Sequence, residues 1–212
     1  MERTKRITTA AIVFLAVFHQ VGLIGLNLEA SRGLFQQLIP LNLVVSLGLL
    51  AWFHRPWSLQ FGVFIFSIFW AGYLVELAGV TTGMIFGSYS YGQALGFKIA
   101  QVPPLIGLNW VMLLYITGIM ARAATDNIWL QASVGAALMV LLDILIEPMA
   151  IRFDMWYWAG GVIPLQNYFA WYVISWFMHY AFHMQRLPAH NQLAVPLYLI
   201  QLIFFASFLV IG

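Results

Sequence analysis

Apolar runs long enough to cross a bilayer follow one another along almost the whole chain, and this leaves few folds open. A membrane-spanning helix needs about 20 predominantly apolar residues. Runs near that length fall at 7–26, 33–53, 58–80, 104–123, 128–151, 166–184 and 192–211. Backbone polar groups in hydrocarbon must pair internally, so such runs become helices. The alternation over about ten residues that a membrane barrel requires is absent. Charged residues make up 8% of the chain and hydrophobic ones 63%, whereas a soluble domain carries roughly a quarter of its residues charged. The sequence predicts an all-α polytopic membrane bundle of about seven transmembrane helices. It forms one integral membrane domain over 1–212, and the spans leave no stretch for a soluble module.

The first apolar run follows Met-Glu-Arg-Thr-Lys-Arg. At about 20 residues it is too long for an ordinary signal h-region and reads as a retained helix. Cysteine is absent, which excludes disulfides and thiolate chemistry. The net charge of +2 comes from scattered basic residues, so it bears on topology and gives no reason to expect a nucleic-acid partner. Arg3, Lys5, Arg6, Arg55, Arg122 and Arg186 fall on the N-terminal side, against Arg32, Lys98 and Arg152 on the other. The excess puts the N-terminus in the cytoplasm of a cell-membrane protein by the positive-inside rule. The connection 81–103, TTGMIFGSYSYGQALGFKIAQVP, is unusual: rich in Gly, Ser, Tyr and Thr, yet too apolar for a solvated loop. Two placements suit it, a re-entrant dip into the membrane or an interfacial segment across the helix ends.

Ionisable groups inside a membrane are costly and mark functional sites. Three carboxyls lie well inside the expected spans: Glu76, Asp143 and Glu147. Asp143 and Glu147 are four apart and share a helix face, and Pro148 beside them should loosen that helix. At a rise of 1.5 Å per residue, Glu76 lies about 27 Å along its span, and Asp143 and Glu147 about 22 and 28 Å along theirs. All three therefore fall in one layer. Asn109 enters it from the antiparallel fourth span, Gln166 and Asn167 from the sixth, and Thr81, Thr82, Tyr89 and Tyr91 from the unusual loop. Three carboxyls in a low-dielectric pocket cannot all be ionised together, and one kept protonated is a suitable general acid. The competing reading is that these groups only bond helices together. Trp70, Tyr73, Trp110, Tyr115, Trp156, Tyr157, Trp158, Tyr168, Trp171 and Tyr172 occupy the same half. Aromatic faces there can stabilise a cation, although an interfacial belt explains most such positions.

Other chemistries find less support. His179 and His183 have i, i+4 spacing but lie far from the carboxyl layer, with no second ligand pair at their depth; no metal is expected. His19 and His54 read as structural. The glycine-rich stretches hold no phosphate-loop or dinucleotide fingerprint. A retinal protein needs an intramembrane lysine, and the lysines are Lys5 and Lys98, neither in the last span.

Three stretches carry a resemblance: ELAGVTTGMIFGSYSYG at 76–92, VPPLIGLNW at 102–110, and DILIEPMAIRFDMWYW at 143–158 running into IPLQNYFAWY at 163–172. Together they resemble the carotenoid 1,2-hydratases of the bisanhydrobacterioruberin and γ-carotene hydratase type, over about 70–180. Phe153-Asp154 departs from the pattern, where a small residue such as Gly is expected. The resemblance implies an integral membrane enzyme that adds water across the terminal double bond of an acyclic (ψ) carotenoid end group, giving a tertiary alcohol without a redox cofactor. Its partners are the carotenoid in the bilayer and membrane lipids. On this reading Asp143 or Glu147 donates a proton to carbon 2 and Glu76 positions water, or the roles are exchanged. Asn109 and Asn167 orient these groups, while Tyr89, Tyr91, Trp156 and Trp158 line the pocket. Rival readings are a membrane-type lycopene cyclase, a proton-coupled transporter and a non-catalytic carotenoid-binding protein.

Overall fold

The computed structural model describes residues 2–186 and 188–211. The described residues form eight α-helices: α1 (Glu2–Asn27), α2 (Glu29–Gln37), α3 (Ile39–Phe53), α4 (Leu59–Thr82), α5 (Leu105–Ala124), α6 (Ile128–Arg152), α7 (Leu165–Met184) and α8 (Ala194–Ile211). Two short strands, β1 (Tyr89–Tyr91) and β2 (Trp156–Trp158), interrupt this all-α pattern. The helix boundaries have local causes. The Ser58 hydroxyl accepts the Phe61 N–H at 3.1 Å and caps α4; the Asn127 side chain accepts the N–H groups of Trp129 and Leu130 and caps α6. Such caps satisfy first-turn donors that have no partner within the helix. Pro148 does not end α6, which continues to Arg152.

By length and mean hydropathy, α1, α4, α5, α6 and α8 can each cross a membrane, and α2 with α3 forms a sixth candidate bent by 53°. The expected run 33–53 is thus broken rather than continuous. Pro40, at the start of α3, lacks the N–H that would carry α2 onward and clashes with the preceding turn. The sixth expected span, 166–184, corresponds to α7, which has the length, about 30 Å, but a lower hydropathy. It carries Asn167, Ser175, His179 and His183, and all four are buried. Its polar side chains face neighbouring helices, which is why a window average underrates it.

α5 and α6 stand at the centre. α5 packs against α3, α4, α6, α7 and α8, and α6 lies along α7 and α8. Trp110, Leu114 and Ile116 on α5, and Ala136, Met139 and Leu142 on α6, have no exposed surface. At the end that holds the N-terminus, the α3–α4 and α7–α8 turns are joined by paired backbone bonds between Arg55 and His190. At the opposite end β1 pairs antiparallel with β2, with Tyr89 opposite Trp158 and Tyr91 opposite Trp156. Residues 83–104 are therefore a pinned cover over the helix ends, and their own Phe86, Tyr91, Leu95 and Val102 are buried.

Candidate functional site

The site begins with the alternation of two tripeptides, YSY and WYW. In a strand, successive side chains point to opposite faces. Tyr89 and Tyr91 therefore face the bundle beside Trp156 and Trp158, while Tyr157 turns outward and is 46% exposed. Each strand grips one carboxyl. Tyr89 and Tyr91 donate to one oxygen of Glu76 at 2.5 and 2.7 Å. The indole N–H groups of Trp156 and Trp158 donate to one oxygen of Glu147 at 3.0 and 2.8 Å. The other Glu76 oxygen accepts the Trp110 indole at 3.0 Å. Gly72 makes room for this, since a Cβ there would collide with the Trp110 side chain. Burial pushes the Tyr89 and Tyr91 phenols above their usual range, with the adjacent Glu76 adding to it, so both stay O–H donors.

Asn167, one turn into α7, spans the α6 pair. Its amide donates to Asp143 at 2.9 Å and lies 3.4 Å from Glu147. Among the described residues Asp143 has this one donor, whereas Glu76 and Glu147 have three each. All three carboxyls are nearly inaccessible, at 3, 4 and 1% for Glu76, Asp143 and Glu147. The one ion pair among the described residues joins Arg6 and Glu2 on the exposed first turn of α1, so no cation neutralises the three.

The carboxyls converge on a cavity of about 30 Å³, room for roughly one or two waters. Glu76, Tyr89, Tyr91, Asn109, Asp143, Glu147, Trp156, Trp158 and Asn167 all line it, so the residues given catalytic or pocket roles from the sequence reach the same space. The Asn109 side chain makes no hydrogen bond among the described residues. Phe86 and Trp171 complete the wall, and Trp171 stacks on Trp110 with ring centroids 4.1 Å apart. Sequence reading named Trp110 and Trp171 only among the aromatics of this half, without the donor role of the first or the wall position of the second, and did not name Phe86. The signals were there: Trp110 adjoins Asn109, and Trp171 is one turn from Asn167.

Other members of the expected polar layer lie elsewhere. Thr81 and Thr82 bond back to carbonyls of their own helix, as hydroxyls at a helix end commonly do. Gln166 donates to the Met84 and Ile85 carbonyls and ties α7 to the cover. Tyr115 lies toward the other end, bonded to His54 at 2.6 Å. His179 is held by Thr117 at 2.8 Å and the Ser175 carbonyl at 2.7 Å, and His183 stacks on it at 6.2 Å.

The Asp154 departure has a geometric reading. Asp154 adopts a left-handed φ of 60°, where glycine is favoured and Asp is tolerated better than most residues. Its carboxylate accepts the Gln93 N–H and the Tyr157 hydroxyl, and its carbonyl accepts the Ala94 N–H. Gly92 lies so close that any Cβ would strike the Asp154 carbonyl. Asp154 therefore fastens the two connections to each other.

A sequence model described as carotenoid biosynthesis protein matches residues 37–212. Bisanhydrobacterioruberin hydratase of Haloarcula japonica is 26% identical over 185 residues, covering 78% of this chain and 61% of that protein. The chain thus spans about three fifths of the length of the curated relative it matches. No solved structure matches.

Proposed function

The chain belongs to the carotenoid biosynthesis protein family, and from that premise we propose that it hydrates the terminal double bond of an acyclic carotenoid end group. The observation that carries this reading is the set of three buried carboxyls, without a cationic partner, around a water-sized cavity walled by indoles and phenols. Such a site favours positive charge developing on a substrate that brings none with it.

Asp143 is the proton donor. Indole N–H groups can only donate, so the surroundings of Glu147 suit an anion, and Glu76 is likewise ringed by Trp110 and two phenols. Asp143, with one donor, is the carboxyl with room to hold a proton and release it. The proton goes to carbon 2, the alkene π bond breaks, and a tertiary cation forms at carbon 1. Water attacks carbon 1 and its surplus proton passes to Glu147, whose second oxygen has only the long contact to Asn167. Return of that proton to Asp143 restores the acid, and the net change is addition of one water. Glu76, fully occupied by donors, contributes fixed negative charge instead of positioning water.

The test is expression in a bacterial host that accumulates an acyclic carotenoid, with pigments resolved by chromatography and mass spectrometry. The expected product is heavier by one water. Asp143→Asn should lower its yield by about 10²–10⁴-fold, the usual contribution of a positioned acid. A product of unchanged mass with a cyclic end group would assign the chain to the cyclases and sink the hydratase reading.

A further inference from the structure

At about 30 Å³ the carboxyl cavity cannot take a polyene chain, yet it does not stand alone. A second cavity of about 140 Å³ lies between α1, α3, α5, α6 and α8. It shares Ile106, Asn109, Leu113, Ile146 and Trp156 with the first. The remaining wall is hydrocarbon and aromatic apart from Asn42 and the Gln201 amide. Its rim includes Val21, Leu38 and Leu41, which are exposed, and it lies where the α2–α3 pair bends by 53°. Exposed Val21 on α1 and Leu41 on α3 flank the groove, so it opens laterally between these two helices.

We infer that this groove holds the conjugated chain next to the reacting end group, and that the chain slides in sideways from the lipid between α1 and α3. The inference rests on the hydratase reading for the identity of the occupant. A conjugated polyene is a stiff, apolar rod and cannot turn sharply, so its end reaches the acids only along an apolar passage continuous with them. The groove shares five wall residues with the carboxyl cavity and so offers such a passage. Asn109 sits at the junction, where the hydrocarbon chain gives way to the hydrated end.

Gly22 offers a direct test. It lines the groove, and a Cβ there would meet only the Phe204 ring, at 3.8 Å. A phenylalanine at this position therefore grows into the groove. Gly33 on α2, with nothing within 4 Å of its Cβ position, serves as the size control. Pigment bound to purified protein is measured by absorbance in the Asp143→Asn background, and hydrated product in the otherwise unchanged chain. Gly22→Phe should lower both by at least about tenfold, a loss within the range for overfilling a packed site, while Gly33→Phe leaves both unchanged. The thermal midpoint of each variant reports folding. If Gly22→Phe does not fold, Leu41→Trp at the exposed rim takes its place, with the same expectation. A folded blocking variant that binds pigment and forms product like its parent overturns the groove, as does absence of bound pigment from the unblocked protein. Failure of the hydratase reading looks different: no hydrated product from the unchanged chain, with pigment binding still sensitive to Gly22→Phe.

Discussion

The two ends of the bundle both bury polar side chains, and they use them differently. At the end holding the N-terminus, polar groups close on one another or on backbone. His54 bonds Tyr115 and stacks on Phe61, Asn191 bonds the Leu50 carbonyl, and His179 bridges Thr117 and the Ser175 carbonyl. These bonds tie turns and helices together. At the opposite end the donors of β1, β2, α5 and α7 surround three carboxyls that border open space. Six donors address Glu76 and Glu147, each able to bond an ionised carboxylate, and the cavity leaves those carboxyls facing whatever enters. The buried polar residues thus divide by what their hydrogen bonds serve: joining segments of the chain at one end, holding a group of carboxyls against a cavity at the other.

Three substitutions break or sharpen this contrast. The largest effect belongs to Glu147→Gln. The amide oxygen can still accept from Trp156 and Trp158, so the thermal midpoint should hold, while hydration falls by about 10²-fold or more through loss of a proton acceptor; product yield set against thermal melting separates the two. Thr117→Val acts at the other end and should do the reverse. It leaves a buried His179 nitrogen unpaired, costs about 1–3 kcal/mol, and lowers the melting temperature with hydration within about twofold of the parent. A large loss of turnover in folded Thr117→Val protein would join the two ends functionally and end the distinction. The smallest effect is expected of Tyr157→Phe. It removes an exposed bond to Asp154 and should change stability by less than about 0.5 kcal/mol, leaving the inward-facing tryptophans and product yield as they were.

Much of the site was legible because the constraints are local. Three carboxyls in apolar runs must be rare and purposeful, and helix rise alone puts Glu76, Asp143 and Glu147 in one layer. Asn109 and Asn167 follow from the reversal of chain direction. The all-α membrane architecture follows from run length and the need to pair every backbone group in lipid. What the tertiary structure decided was pairing. YSY and WYW lie more than sixty residues apart, and neither strand has a partner until α4–α6 bring the two connections together. Only then does each carboxyl acquire its donors, and only then does Asp143 emerge as the least occupied. The α2–α3 break was equally hidden within an apolar run, because hydropathy records that a segment prefers lipid and says nothing of the backbone bond that Pro40 omits. Composition and spacing act along the chain; hydrogen-bond partners and cavities depend on which segments meet.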